Sequence, residues 1–176
     1  MDNQRGVTAK RRRTDLMDWS PENCSIARTL GILGEKWTLV VLRDVFGGIR
    51  RFNDLVEHSG VPRQVLTNRL SVLVDEGILR RDTYQEPGSR PRPEYRLTEK
   101  GLDTYRILIA LREWGDRYVA DPEGPPLEHV HRDCGAPVTL TVRCADGHEI
   151  HEAREVTGRP GPGALRRHSA AASGTA

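Results

Sequence analysis

The sequence predicts a mainly α-helical fold with a small β-wing, that is, a winged helix-turn-helix with a C-terminal β-hairpin extension. Two observations predict it. A short helical segment, a glycine turn and a longer helical segment follow one another between residues 51 and 75. Two segments of alternating apolar and polar residues come directly afterwards, joined by a loop rich in Pro, Gly and Arg.

Length and composition limit the class of protein. The chain has 176 residues, of which 36% are hydrophobic, and this suits one globular core with tails. It contains no run of about 18 apolar residues and no secretory signal, so we expect a cytoplasmic protein without membrane contact. Three cysteines do not fit the disulfide framework of a small secreted domain. The net charge of +2 favours an anionic partner only weakly.

The first two helices are predicted from the segment "CSIARTLGILGEKWTLVVLRDVFGG", residues 24–48. Apolar residues recur at helical spacing on both sides of Gly34, which separates the two helices. Gly47 and Gly48 end the second helix. The inward-facing residues are predicted to be Ile26, Leu30, Leu33, Trp37, Val40, Val41, Val45 and Phe46.

A helix-turn-helix follows. The segment "RFNDLVEHSG" predicts a short third helix with Phe52, Leu55 and Val56 facing inward and Gly60 as its end. Pro62 suits the first turn of the next helix, where a missing N–H costs nothing. The tight glycine turn between two helices is typical of a helix-turn-helix.

The fourth helix has two different faces. At 100° per residue, its core stripe consists of Leu66, Leu70, Leu73 and Val74. The other side carries amides, hydroxyls and arginines, namely Arg63, Gln64, Thr67, Asn68, Arg69 and Ser71. Amides can bond bidentately to adenine, and Arg to guanine or phosphate, so this face fits a helix in the major groove of DNA. A plain solvated face is the alternative.

The hairpin that follows favours the DNA interpretation. The segments "GILRRDTY" and "PEYRLTEKG" predict two strands, and the loop between them carries Arg90, with Arg92 beside it. A cation on a proline-stiffened loop could enter a minor groove or contact phosphates. A helix-turn-helix followed by such a hairpin is a winged helix, and we expect double-stranded DNA as its partner.

The chain from Cys24 to Tyr118 resembles the HxlR-type transcriptional regulators, a branch of the MarR-like winged-helix proteins. The order and spacing of "GEKW", "RFNDL", "LTNRL", "GIL", "YRLTEKG" and a late "WGD" carry the resemblance. It implies a homodimeric regulator, commonly a repressor, that binds a palindromic operator. It also implies that the DNA-contacting residues include Gln64, Thr67, Asn68 and Arg69 on the recognition helix and Arg90 on the wing.

The helix after Thr98, a favourable N-cap, supports dimerisation independently. Its first apolar stripe comprises Leu102, Tyr105, Leu108 and Ile109, and its second comprises Ile107, Leu111, Trp114 and Tyr118. One small domain rarely has core on both sides of a terminal helix. The second stripe therefore fits contact with the same helix of a partner, or burial under the chain's own C-terminal segment.

Cys24 is the candidate redox-sensing residue. It lies one position before the first predicted helix, where exposed N–H groups would stabilise a thiolate. Members of the resembled family often carry a cysteine here, and some sense oxidants, quinones or aldehydes through it. The expected effector is therefore a small molecule or an oxidant, and the alternative is a small buried hydrophobic side chain.

The C-terminal segment holds two Cys/His pairs, His131 with Cys134 and Cys144 with His148. Joined by the predicted strand "APVTLTVR", they could close one tetrahedral structural Zn²⁺ site. Nearby His129 and His151 blur the ligand set. Two alternatives remain, a disulfide switch between Cys134 and Cys144, and a metal-free hairpin. No cofactor is expected to be needed for DNA binding itself.

An enzyme is not expected. Four Cys/His ligands leave no open position on zinc, and the sequence contains no HExxH motif, nucleophile elbow or phosphate-binding glycine loop. The alternative function is a winged-helix module that binds protein, or a redox- or zinc-responsive sensor without base readout. An acidic or apolar recognition face would have favoured protein binding, and the sequence has neither.

The chain divides into four predicted segments. Residues 1–18, with "KRRR", are expected to form a disordered basic arm that is solvated or touches phosphate. Residues 19–120 form the winged-helix DNA-binding and dimerisation domain, and residues 121–156 form the Cys/His-containing extension. Residues 157–176, rich in Gly, Pro, Ala and Ser, are expected to be a disordered tail.

Overall fold

The computed structural model describes residues 19–85, 88 and 90–167. Their elements, in chain order, are α1 (Ser25–Leu33), α2 (Lys36–Phe46), α3 (Phe52–Ser59), α4 (Arg63–Asp75), β1 (Leu79–Tyr84), β2 (Arg92–Leu97), α5 (Glu99–Leu102), α6 (Tyr105–Tyr118), β3 (Val142–Arg143) and β4 (Glu149–Ile150). A 3-10 turn follows at Ala153–Glu155. The predicted fold class, a mainly α winged helix-turn-helix with a C-terminal hairpin, is confirmed. None of the described helices is long and apolar enough to cross a membrane.

The core lies where α2, α3 and α4 meet the base of the β1–β2 hairpin. Leu66, Leu70 and Leu73 of α4 are fully buried in it, which confirms the predicted core stripe, and Val74 packs half-buried at its edge. Burial of each leucine side chain contributes about 1.5–3 kcal/mol. The stripe fixes the rotation of α4, and thereby turns its polar face to the surface.

The predicted inward face of α1 is only partly correct. Leu33 is buried, but Ile26 and Leu30 are 72% and 58% exposed. The reason is that core contact is confined to the C-terminal end of α1, where Leu33 joins the cluster and Ile32 packs against it. Periodicity identified the helix correctly and gave no information on how much of its apolar face the chain itself covers.

A buried carboxylate joins α2 to α3. Asp44 is 2% exposed, and its Oδ1 accepts a hydrogen bond of 2.8 Å from Arg43 Nε. Its Oδ2 lies 3.1 Å from Nδ1 of His58, in the last turn of α3. Because a buried charge is tolerated only when it is paired, the bond from Arg43 stabilises the Asp44 carboxylate. Oδ2 has no hydrogen bond, and its contact with His58 brings the end of α3 beside α2.

The turn between α3 and α4 has the predicted glycine, whereas Pro62 lies outside the first turn of the next helix, where it was predicted. Gly60 ends α3 in the left-handed conformation, with φ of 67°, and its N–H donates to the Val56 carbonyl at 3.0 Å. Pro62 immediately precedes α4 rather than lying in its first turn, and the helix begins at Arg63. Val61, between them, is buried in the core.

The wing is an antiparallel pair whose register runs from Leu79 opposite Leu97 to Tyr84 opposite Arg92. The segment before α3 adds to it, because Arg51 forms a β-bridge with Glu94 and the Tyr95 N–H donates to the Arg50 carbonyl at 2.8 Å. The base of the wing is therefore bonded to the start of the helix-turn-helix.

The single helix predicted after Thr98 is two helices. Thr98 caps α5 as predicted, accepting from the Gly101 N–H at 3.1 Å. The chain then turns at residues 103–104, where the buried Thr104 hydroxyl donates to the Gly101 carbonyl at 2.6 Å. Because of this break, Leu102 does not continue the helical spacing of α6, and its side chain does not lie on the same face as Ile109. Leu102 is consequently 48% exposed, contrary to its predicted place in the core stripe, whereas Ile109 is buried as predicted.

The described residues form two compact units. In the first, residues 19–28 pair with residues 157–167, since Trp19 bridges Arg166 and the Ser20 N–H donates to the Leu165 carbonyl at 2.7 Å. Part of the predicted tail therefore makes a short backbone pairing. The rest of that tail, and the basic arm, lie outside the described residues. The boundaries of the four segments stay predictions.

The second unit, residues 29–156, includes the extension. Arg112 of α6 donates from Nη2 to the Val138 carbonyl at 2.8 Å, and the Leu140 N–H donates to Glu113 Oε1 at 2.6 Å. Beyond these contacts, β3 and β4 pair antiparallel through Val142 opposite Ile150. Polar side chains of α6 thus hold the extension against the winged helix.

Candidate nucleic-acid interface

The recognition face is the polar side of α4, formed by Arg63, Gln64, Thr67, Asn68, Arg69 and Ser71. All of them are exposed except Arg69, which is half-buried. They lie opposite the leucines that anchor α4 in the core. The structure thus brings the predicted residues of this helix together on one surface, and their contact with DNA stays a prediction.

Two amides occupy the centre of the recognition face. Gln64 Nε2 donates to Asn68 Oδ1 at 3.2 Å, across one helical turn. This bond leaves the Asn68 amide nitrogen free to donate and the Gln64 oxygen free to accept. Adenine presents one acceptor, N7, and one donor, N6, in the major groove, so the pair matches the chemistry of an adenine edge.

Arg63 is held by the preceding helix. Its Nη2 donates to Asn53 Oδ1 at 2.9 Å, and its guanidinium carbon lies 5.0 Å from the centroid of the Phe52 ring. A guanidinium has five N–H donors, so this single bond leaves others for a phosphate or a guanine. Sequence reasoning missed Asn53 as a positioning residue, because α3 and α4 come into contact only through the turn between them.

The wing carries two further candidates. Arg90 in its loop and Arg92 at the start of β2 are both exposed. Two other cations on the strands are paired, since Arg80 lies 3.2 Å from Asp82 and Arg96 lies 2.5 Å from Glu94. No ion pair within the described part of the chain involves Arg90 or Arg92. Both charges therefore remain for an anion, although residues 86, 87 and 89 of the loop lie outside the described residues.

The corner between the wing and α3 is basic as well. The Arg51 guanidinium carbon lies 4.1 Å from the centroid of the Tyr84 ring, beside a cavity of about 190 Å³ that Asn53 and Arg92 also line. Arg50, next to it, is exposed. Sequence reasoning did not include these arginines, although the doublet before "FNDL" was a usable signal. They extend the basic surface from α4 toward the wing.

The second apolar stripe of α6 is on the surface of the described chain. Ile107, Leu111, Trp114 and Tyr118, which we call the α6 stripe, are 38%, 49%, 59% and 60% exposed. The Trp114 and Tyr118 rings lie 5.4 Å apart. Burial of this stripe under the chain's own extension was one of two predicted alternatives, and the structure does not show it. Contact with a partner copy is the alternative that stays a prediction.

A cavity of about 350 Å³ lies between α2, α6 and the start of the extension. Its lining is mostly apolar, with Leu39, Val40, Phe46, Tyr105, Leu108 and Leu127 among the contributors. Arg112 and His129 also line it, and Nε of the first and Nδ1 of the second are buried without a hydrogen bond. Arg112 Nε lies 3.7 Å from Oδ2 of Asp116, which also lines the cavity, so the polar atom left without any partner is Nδ1 of His129. An apolar cavity with a few polar groups at one side is typical of a small-molecule site.

The three cysteines are free. Cys24 is half-buried immediately before α1, and its carbonyl accepts from the Arg28 N–H at 3.0 Å. Its redox role stays a prediction.

Each Cys/His pair of the extension is assembled. The Sγ–Nδ1 distance is 3.3 Å for Cys134 with His131 and 3.4 Å for Cys144 with His148. Within the described residues, however, one group of three Cys, His or acidic side chains has its potential ligand atoms all within 4.8 Å of one another, and it consists of Cys144, Asp146 and His148. The four predicted ligands do not form such a group. Sequence reasoning missed Asp146.

A winged helix with an exposed, amide-rich recognition helix is the DNA-binding domain of a transcriptional regulator. Residues 32–123 match the HxlR-like helix-turn-helix family model, and the chain belongs to this family. An uncharacterized HTH-type transcriptional regulator of Mycobacterium tuberculosis is 42% identical over 142 residues, which cover 81% of this chain and 89% of that protein. Another, from Synechocystis, is 37% identical over 54% of this chain and 70% of its own length.

Solved structures agree with this class. The crystal structure of PA1607, a candidate transcription factor, is 34% identical and superposes with a TM-score of 0.70, covering 78% of this chain and 95% of that one. PA1374 from Pseudomonas aeruginosa, described in the same way, is also 34% identical, with a TM-score of 0.55 over 81% of this chain and 95% of its own. The relatives are transcriptional regulators, which are a non-enzymatic class.

Proposed function

We propose that this transcriptional regulator is a repressor that binds a palindromic operator as a homodimer, with α4 in the major groove. One observation carries the proposal, the exposed Gln64–Asn68 amide pair beside a restrained Arg63. Amides at the centre of a face read base edges, whereas a guanidinium at the helix start suits the flanking phosphate.

The wing supplies the second contact. Arg90 and Arg92 reach the phosphates or the minor groove next to the half-site, because neither is neutralised by a described carboxylate. Arg50 and Arg51 continue the same positive surface. These phosphate contacts increase the affinity for DNA of any sequence, whereas the amides of α4 provide sequence specificity.

The α6 stripe supports the homodimer. An isologous interface buries the same surface on both subunits, and one helix face crossing its own copy satisfies that condition. The stripe offers four large apolar residues, two of them aromatic, which is the composition that interface cores favour. Two α4 helices related by this axis would fit half-sites about one helical turn of DNA apart.

The experiment that tests the proposal starts from genomic DNA. Purified protein is used to select bound fragments, and the protected bases are mapped. We expect two symmetric half-sites with centres about 10 base pairs apart, or a multiple of that spacing, and two protein chains per site. An asymmetric footprint made by one chain would contradict the dimeric operator complex. Transcription of the adjacent genes should rise when the regulator is deleted, and a fall would contradict repression.

We further propose that a small-molecule effector enters the cavity between α2 and α6. The apolar lining fits a compact aromatic molecule, whose carboxylate would reach His129 and the guanidinium of Arg112, the side chain that pairs with Asp116 at 3.7 Å in the structure. Naphthoate serves as the probe. It should raise the melting temperature of the protein and weaken operator binding, and Leu108→Trp, which fills the cavity, should remove both effects. Equal responses in the two proteins would place the effector elsewhere.

A further inference from the structure

The 144–148 turn joins β3 to β4 and gathers three chemically different ligands. Cys144 offers a sulfur, Asp146 a carboxylate oxygen and His148 a ring nitrogen, and these atoms all lie within 4.8 Å of one another. The three residues occupy every second position of the segment 144–148. Thiolate, imidazole and carboxylate are the ligands of Zn²⁺ in proteins, and the sulfur disfavours Mg²⁺ or Ca²⁺.

The separation of two of these ligands already suits a metal. Cys144 Sγ lies 3.4 Å from His148 Nδ1. Two such ligands on one tetrahedral Zn²⁺, at about 2.3 Å and 2.0 Å from the metal, would be about 3.5 Å apart. Binding therefore requires little rearrangement of this pair.

The backbone of the turn is fixed independently of any metal. The Cys144 N–H donates to the His148 carbonyl at 3.0 Å, and the Gly147 N–H donates to the Cys144 carbonyl at 3.0 Å. Gly147 has φ of 85°, which a residue with a Cβ rarely adopts, and this conformation brings His148 back toward Cys144. On the flanking strands, Arg143 pairs with Glu149 at 2.5 Å.

We propose that the 144–148 turn is a zinc-binding site with Cys144, Asp146 and His148 as its three protein ligands. On binding, the Cys144 thiol loses its proton to solvent and its sulfur forms the bond to the metal, so one proton is released per ion bound. Water completes the tetrahedron. The site differs from the four-ligand set predicted from sequence, because His131 and Cys134 form a separate pair.

The test uses the full chain and Co²⁺ as a visible probe for Zn²⁺. One Co²⁺ per chain should bind and show thiolate-to-cobalt charge transfer, and Zn²⁺ should displace it. Cys144→Ser should abolish the absorption, whereas the matched variant Cys134→Ser should keep both the absorption and the stoichiometry. Asp146→Asn should weaken binding by at least about tenfold, since lost second-shell partners alone typically cost that much. The neighbouring control Asp133→Asn should leave the affinity unchanged.

Two outcomes would overturn the proposal. One is the absence of thiolate absorption in wild-type protein reduced before titration. The other is equal loss of metal in Cys144→Ser and Cys134→Ser, which would establish a site shared between both Cys/His pairs. All four altered residues are exposed, and operator binding by each variant verifies that the winged helix is folded.

Discussion

At the scale of single residues, the sequence predicted which residues of α4 share one polar face, but not the contacts that restrain them; their role in DNA binding stays a prediction. Helical angle alone separates Gln64 and Asn68 from the leucines, because rotation about a helix axis depends only on sequence spacing. The bond between Arg63 and Asn53 joins two helices, so it depends on the turn between them. Asp146 was missed for a related reason, since its proximity to Cys144 and His148 follows from the fold of one turn.

Asn68→Ala tests base readout at this scale. The variant should lose about 1–3 kcal/mol on the selected operator and almost nothing on random DNA, because one bidentate base contact is removed while phosphate contacts remain. Thr139→Ala, an exposed change in the extension, is the control. Affinities are compared by titration at one salt concentration. Equal losses on both DNAs would assign Asn68 to the backbone instead of to a base.

At the scale of elements, local patterns predicted the winged helix-turn-helix and the C-terminal hairpin. They gave one helix where the structure has α5 and α6, and a strand over residues 136–143 where β3 covers only Val142–Arg143. The break between α5 and α6 is the clearest case. Gly101 brings its backbone so close to Ile78 that a Cβ would lie 2.2 Å from the Ile78 carbonyl oxygen. Docking α5 on the base of the wing therefore sets its direction, and α6 must restart at Tyr105 to pack Ile109 into the domain.

Gly101→Ala should therefore destabilise the domain. The added methyl group forces α5 away from Ile78, and overpacking of this kind costs about 1–3 kcal/mol. Gly31→Ala is the matched control, because a Cβ there meets nothing within 4 Å and Ala in a helix gains about 0.5–1 kcal/mol over Gly. Urea unfolding measures both. A Gly101→Ala protein as stable as wild type would show that α5 is not held against the wing.

The wing is tested by the salt dependence of DNA binding. Arg90→Ala should weaken binding to all sequences and reduce the slope of log K against log salt concentration by about one unit, since one phosphate contact and its released counterion are lost. Arg80→Ala should change the slope less, because Arg80 is already paired with Asp82. If the slope of Arg90→Ala equals that of wild type, Arg90 does not contact a phosphate in the complex.

At the scale of the whole molecule, several large apolar side chains are exposed on the surface of the single chain. The pattern predicted two apolar stripes on α6, and the structure buries Ile109 of one and exposes the other. Ile26 and Leu30, predicted as core, are exposed on α1 as well. A sequence pattern reports that a face is apolar without saying whether the same chain or a second copy covers it. The palindromic operator proposed above would require the second copy.

Leu111→Asp tests this conclusion. A charge in the middle of the α6 stripe would be buried without a partner in the dimer, so the variant should sediment as a monomer and lose binding to the palindrome. Leu102→Asp is a closely matched control, because Leu102 is 48% exposed and Leu111 is 49% exposed, yet Leu102 lies on α5 outside the stripe. It should remain dimeric. Circular dichroism distinguishes dissociation of the dimer from unfolding of the chain. A folded Leu111→Asp variant that is still a dimer would show that the dimer interface does not include the α6 stripe.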